Sequence, residues 1–333
     1  MSEGIVLFGA GVTGRFLKSR MTCAPLAFVD NDPDKQGKEV EGIKILSPEE
    51  GVKSYPDALW IPAAMQSDYG DEISEKINSL GVKTMSLWTF LPEGITHIPQ
   101  RSYSTIRLLI GDMQSHHELI NQMEFRRDPN LERQLPPSDI KDLYFPDFIT
   151  HRDDEKFIDC GAADGDTVKE FIERWEKWDS IVAFEPDYVN FNKLYHVHDP
   201  EGKGRITTLG FAVSDIDGYT EFVVTGDYSA HLGEGDRKVR VTTLDQMCEL
   251  TFPTYIKMDI EGAELKALWG ARRILKEHKP VLAICAYHKS DHLWEIPLLI
   301  HALQPEYKLY FRRYSKGDFE LVWYAVPPER IVK

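Results

Sequence analysis

Two apolar runs each stop at a glycine turn: "VLFGAGVTG" over residues 6–14 and "FIDCGAADGDT" over 157–167. Each opens a series in which strand-like segments alternate with helix-like ones. A strand, a tight glycine turn and a helix packing back on the sheet make up the start of a parallel βαβ unit. Two such starts in 333 residues predict two α/β domains.

The first series runs over residues 1–98 and reads as a small Rossmann-like nucleotide-binding-type domain. "GIVLFGAG" is a strand entering the turn, "VTGRFLKSRM" its helix, and "PLAFVDND" and "ALWIPAA" further strands. "YGDEISEKINSLG" reads as a helix and "KTMSLW" as a short strand. Gly9, Gly11 and Gly14, with Asp30 ending the second strand, form a candidate second nucleotide site. Residues 99–150 lose the alternation and read as a helical connector. The second series, over 151–333, ends in two aromatic-rich strands around Lys316-Gly317-Asp318, an antiparallel hairpin closing a doubly wound sheet.

Charge narrows the partners. Lys and Arg number 39 against 54 Asp and Glu, a formal net charge of −15. Such a chain repels nucleic acid and anionic lipid unless its basic residues are gathered on one face, and no basic run is present. A small-molecule or carbohydrate substrate is expected, with no nucleic acid and no membrane span. Cys23, Cys160, Cys248 and Cys285 are widely spaced and form no CxxC pair, so neither a disulfide framework nor a zinc site is expected. With no signal-peptide pattern at the N-terminus, the expected location is cytoplasmic. Homo-oligomerisation is left open.

The second turn differs from the first in its chemistry. Asp159 stands at the strand end before Gly161, Ala163 and Gly165, where a carboxylate would repel a pyrophosphate. It suits a ligand bearing an ammonium group, such as the methionine end of S-adenosylmethionine. Glu185, ending the next strand, is placed to accept from ribose hydroxyls. "RITTLGFAVSD" reads as the third strand, with Ala212, Val213 and Asp215 at the adenine end.

These segments, with "IVAFEPD", "AVSDIDG", "IKMDIEGAE", "ALWGARRIL" and "YHKSDHLWEIP", resemble the FkbM family of S-adenosylmethionine-dependent methyltransferases from about residue 143 to 326. The resemblance implies a class I methyltransferase-type sheet, S-adenosylmethionine as cofactor, and O-methylation of sugars, glycolipids or polyketides. The N-terminal stretch resembles the Rossmann-like domains attached to sugar-modifying transferases. That inclines the substrate reading toward a carbohydrate, glycolipid or nucleotide-sugar hydroxyl.

An alcohol is a weak nucleophile until its proton is removed, so a positioned base is required. Ligands in open α/β sheets bind at the carboxyl ends of the strands, which selects Asp259, Glu261 and His288 as the catalytic candidates. His288, with an unperturbed pKa near 6.5, is the preferred base. Lys257 reads as a strand residue, His231 as a loop residue, and no metal site is expected. Two other readings stay open: an NAD(P)-dependent oxidoreductase using the first glycine turn, and a non-catalytic nucleotide-sensing protein.

Overall fold

The computed structural model describes residues 4–21, 24–63, 73, 76–84, 98–127, 131–223, 231–232 and 237–332. The chain divides into two compact units. One comprises Met1–Thr96, Glu124–Pro136 and Ser315–Phe319; the other comprises His97–Met123, Pro137–Tyr314 and Glu320–Lys333. The segment read as a connector is therefore divided between the units, and so is the tip of the terminal hairpin.

The first unit is built on β1 (Ile5–Phe8), α1 (Val12–Arg20), β2 (Ala27–Val29), β3 (Glu39–Val40), β4 (Ile43–Leu46), α2 (Pro48–Ser54), β5 (Leu59–Pro62) and β6 (Lys83–Thr84). The sheet order is β3-β4-β2-β1-β5-β6, with β1 parallel to both β2 and β5. Alternate residues face opposite cores, as the strand period of two requires. Val6, Phe8, Val29 and Trp60 pack on one face, and Leu7, Phe28 and Ile61 on the other. Phe125, Leu131 and Phe319 join the second of these faces. Nearby, Arg126 makes a forked pair with Asp318 (3.0 Å), and Gln134 bonds Gly317. The helix and strand read over 69–88 lie partly outside the described residues.

The opening glycines have separate duties. A Cβ on Gly14 would sit 2.0 Å from the Gly9 carbonyl oxygen, so the close approach of α1 to the turn demands glycine there. A Cβ on Gly11 would meet nothing within 4 Å. Asp30 turns its carboxylate inward, where Oδ2 accepts from the Ala10 N–H (2.9 Å) and Oδ1 from Asp32 N–H (3.0 Å). Gly14→Ala is expected to cost about 1–3 kcal/mol by overpacking, and Gly11→Ala to stay within about 0.5 kcal/mol. Urea unfolding of the two variants checks this, and equal costs would contradict it.

The second unit begins with α3 (Gln100–Leu109) and with α4 (Met113–Arg127) as far as Met123. The sequence reads these as one helical stretch, but they are separate. Gly111 lies where a Cβ would meet the Tyr310 ring at 2.6 Å, and Asp112 accepts from the Ser115 N–H at 2.8 Å, starting a new helix. There follow β7 (Lys156–Cys160), α5 (Asp166–Arg174), β8 (Ser180–Phe184), α6 (Tyr188–Leu194), β9 (Arg205–Leu209) and β10 (Phe211–Val213). Next come β11 (Gly218–Val223), β12 (His231–Leu232), β13 (Arg237–Thr242), α7 (Leu244–Thr251) and β14 (Tyr255–Met258). The chain closes with α8 (Glu264–Trp269), α9 (Arg272–Glu277), β15 (Val281–Cys285), α10 (His292–Leu303), β16 (Lys308–Arg313) and β17 (Leu321–Val326).

The main sheet has the order β16-β17-β15-β14-β7-β8-β9. Its five strands from β15 to β9 are parallel, and the β16–β17 hairpin adds antiparallel to β15. The expected doubly wound sheet with a terminal antiparallel hairpin is thus present. The central strands are apolar on both faces because helices cover both. Ile158, Val182, Ile256 and Leu282 face one core, while Phe157, Ile181, Tyr255 and Val281 face the other.

One expectation is corrected. "RITTLGFAVSD" is two strands, not one: β9 ends the parallel run of the main sheet, and β10 belongs to a second sheet of order β10-β13-β11-β12. Gly210 separates them. Ala212 and Val213 are therefore on β10 of the smaller sheet, both buried, and Asp215 follows it on the exposed side.

Candidate active site

The sheet reverses its winding between β7 and β14, and the residues at this switch come from the C-terminal ends of β7, β8, β14 and β15. A crevice opens at such a point because the loops on its two sides diverge.

Asp159 lies on β7 directly opposite Lys257 on β14. Both side chains point to the same face, and Lys257 Nζ sits 2.9 Å from Asp159 Oδ1. Asp159 is wholly buried and Lys257 almost so. Burial pushes Asp159 up to about 6 against the pull of the ammonium, and the two carboxylates Asp159 and Asp259 hold Lys257 protonated. Lys257 Nζ also donates to the Gly161 carbonyl at 2.7 Å. The sequence reading gave the Asp159 charge to a ligand ammonium; in the fold, Lys257 supplies the cation. That pair ties the glycine turn to the neighbouring strand.

The turn itself runs through three left-handed residues, Gly161 (φ 79°), Ala163 (φ 45°) and Gly165 (φ 85°). The glycines are dictated from within the protein. A Cβ on Gly161 would lie 1.8 Å from the Asp259 carbonyl oxygen, and one on Gly165 would lie 2.6 Å from Val197 Cγ2. Glu185, at the end of β8, reaches back to the turn. Its Oε2 accepts from the Ala163 N–H at 2.8 Å, and its Oε1 from the Asp187 N–H at 2.7 Å. Burial outweighs those bonds and pushes Glu185 up to about 7. The Glu185 N–H donates to the Leu209 carbonyl, fixing the acid beside the end of β9. Asp159, Gly161, Ala163, Gly165 and Glu185 thus form one hydrogen-bonded turn. The structure places Ala212, Val213 and Asp215 beyond Gly210, outside that set of bonds.

Asp259, Glu261 and His288 do converge. His288 Nε2 is 3.2 Å from Asp259 Oδ1 and 3.6 Å from Glu261 Oε1. Glu261 adopts φ 54° and Gly262 φ 92°, a turn that folds the glutamate back over the end of β14. Behind the histidine lies Glu264, wholly buried in the first turn of α8. Its Oε1 accepts from His288 Nδ1 at 2.8 Å and from the backbone N–H groups of Ile260 and Gly262 at 3.0 and 3.4 Å. His292, also buried, brings Nδ1 to 3.2 Å from Glu264 Oε2. Asp259 is held on its far side by two phenols: Tyr144 donates to Oδ2 at 2.8 Å and Tyr287 to Oδ1 at 3.2 Å.

Three carboxylates around one imidazole set the charge states. Glu264, Glu261 and Asp259 raise His288 well above its ordinary value despite burial. His288 in turn holds Asp259 and Glu264 well below the usual carboxylate range. Burial and the nearby Asp259 push Glu320, at the start of the last strand, up to about 7. These carboxylates favour the protonated imidazole, so any group that takes the Nε2 lone pair displaces that proton. His288 stands as the candidate base beside Asp259 and Glu261, with its proton affinity raised by the carboxylates around it.

Sequence reasoning missed Tyr144, Tyr287, Glu264 and His292. Glu264 carried one signal, an acid opening a helix after a glycine turn. Tyr144 carried none, since it meets Asp259 across 115 residues of chain.

Comparison with known proteins agrees with this architecture. Residues 159–308 match the family model described as the methyltransferase FkbM domain, and residues 1–87 match one described as C2185-like, N-terminal. The stretch 159–308 of the second unit is thus similar to the methyltransferase FkbM domain. The crystal structure of methyltransferase FkbM from Methylobacillus flagellatus KT is similar in fold, with a TM-score of 0.70 at 23% identity. That match covers 97% of this chain and 90% of the other. UDP-D-quinovosamine 4-dehydrogenase from Vibrio fischeri matches at 19% identity over 32% of this chain and 87% of its own, with a TM-score of 0.22, too slight to carry any argument. No curated protein matches the chain. Among the described residues, no helix is long and apolar enough to cross a membrane.

Proposed function

We propose that the protein is an S-adenosylmethionine-dependent O-methyltransferase acting on a hydroxyl of a carbohydrate, glycolipid or nucleotide-sugar acceptor. The observation that carries this reading is the bond from the Ala163 N–H to Glu185, which sets an acid from β8 against the β7 glycine turn at the switch point. The donor set fits the group: a buried acid for the ribose hydroxyls and a left-handed turn for close backbone approach. When bound, S-adenosylmethionine supplies a methyl group on a sulfonium, already activated for in-line displacement by an oxygen.

The chain's own part is to hold the donor, orient the acceptor and receive its proton. Glu185 and the Gly161–Gly165 turn hold the donor, with the residues following Gly210, from Ala212 and Val213 to Asp215, on its adenine side. Asp159 acts as a positioning residue through Lys257 and the Gly161 carbonyl. The acceptor hydroxyl lies against Asp259, Glu261 and His288, and its proton passes to this cluster. Orientation of this kind contributes roughly 7–11 kcal/mol of a methyl-transfer barrier. Gly9, Gly11, Gly14 and Asp30 of the N-terminal unit form a separate candidate site for a nucleotide or nucleotide-sugar. The site lies in a protein expected to work in the cytoplasm.

Isothermal titration tests the reading. S-adenosylmethionine or its demethylated product should bind once per chain, and Glu185→Ala should weaken binding by about 10–100-fold, the cost of bonds to a charged group. Binding of NADH in place of S-adenosylmethionine, unaffected by that substitution, would overturn it. Transfer of labelled methyl to a panel of glycans and nucleotide-sugars then identifies the acceptor.

A further inference from the structure

The geometry points to a divalent-cation site at Asp259, Glu261 and His288, and we propose that the cation chelates adjacent hydroxyls of the acceptor. Its catalytic use rests on the methyltransferase reading above, but the site itself does not. Each of the three residues offers one ligand atom within 4.8 Å of the other two. Metal–ligand bonds of about 2.0–2.2 Å place neighbouring ligand atoms roughly 2.8–3.6 Å apart in octahedral or tetrahedral geometry. His288 Nε2 meets that spacing on both sides, 3.2 Å to Asp259 Oδ1 and 3.6 Å to Glu261 Oε1.

The groups behind the three point the same way. Residues that ligate a metal through one ring nitrogen of histidine commonly bind a carboxylate through the other, which fixes the ring and its tautomer. Glu264 does this to His288 Nδ1 at 2.8 Å and is wholly buried. Tyr144 and Tyr287 likewise fix the Asp259 carboxylate. One imidazole against two carboxylates is a mixed, oxygen-rich set that suits Mn²⁺ or Mg²⁺ better than a soft metal. Three protein ligands leave three octahedral positions. Two neighbouring hydroxyls of a polyol can take two of them, and this singles out acceptors with a vicinal diol.

The probe is Mn²⁺ alone, titrated into the full chain after chelator treatment and followed by the electron paramagnetic resonance signal of free Mn²⁺. One ion should bind per chain, and Glu261→Gln and His288→Ala should each weaken binding at least tenfold. Glu261 is part-exposed, so its variant keeps the core intact, and matching thermal melts verify that. No binding to the unmodified protein, or binding unchanged in both variants, overturns the site. Titration of S-adenosylmethionine without metal runs beside it. Mn²⁺ binding without donor binding would remove the methyltransferase reading and leave the cation site standing, and the reverse result would do the opposite.

Discussion

Replacing Lys257 by Met is expected to destabilise the protein by about 3–5 kcal/mol, the loss typical of stripping one partner from a buried ion pair. The cause is Asp159, which is wholly buried and would be left with no cation within reach of Oδ1. The Gly161 carbonyl would also lose its donor. The defect has a pH dependence whose sign follows from Asp159. Its folded pKa is already raised to about 6 from the ordinary 3.8 with Lys257 in place, and removing the ammonium raises it further. A group whose folded pKa is raised favours the fold below its unfolded pKa and loses that contribution as pH rises through the folded value. The Lys257→Met deficit should therefore be largest above about pH 6 and shrink toward pH 4. Adding Asp159→Asn should recover much of the loss, since the charge that needed compensation is gone. Urea unfolding of the single and double variants across pH checks all three statements. A deficit that is the same at every pH would show that Asp159 is not its source.

The same pair shows what could be read before folding and what could not. Most of the strands and the terminal hairpin were legible, because apolar runs of four to six residues and helical periodicity are local properties, but β3 and β4 of the first unit were not read. Asp159 and Glu185 were legible as strand-end acids. Their partners were not: the register that sets Asp159 opposite Lys257 is fixed by sheet pairing between segments about a hundred residues apart. Gly161 and Gly165 were read as allowing close ligand approach; that a Cβ there would also meet the Asp259 carbonyl and Val197 was not legible. "RITTLGFAVSD" has the pattern of one strand, and only competition between two sheets for its halves divides it at Gly210. His288 was placed rightly at the end of a strand, but its protonation depends on Glu264, which periodicity assigns merely to a helix start. Cluster electrostatics is a property of the folded neighbourhood, and the residue types alone leave its sign open.

Glu264→Ala should produce the second large effect, a loss of about 3–5 kcal/mol in stability together with a fall of two to four orders of magnitude in methyl transfer. A single oxygen of Glu264 accepts from His288 Nδ1, Ile260 N–H and Gly262 N–H. Removing it orphans three donors at once and costs the desolvation of each. The two backbone donors flank Glu261, so the left-handed turn that presents it loosens as well. His288, with no anchor on Nδ1, can rotate away from Asp259. Glu264→Gln separates these contributions. Its carbonyl oxygen can still accept from the turn, so most of the stability should return. Its missing charge should leave transfer well below that of the unmodified protein. Donor binding, which runs through Glu185 and the glycine turn, should be unchanged in the Gln variant. Chemical unfolding, donor titration and single-turnover methyl transfer on both variants give the three readouts. Full recovery of turnover in Glu264→Gln would mean that the carboxylate's charge has no part in setting His288. An Ala variant as stable as the original would mean that the three bonds do not hold the turn.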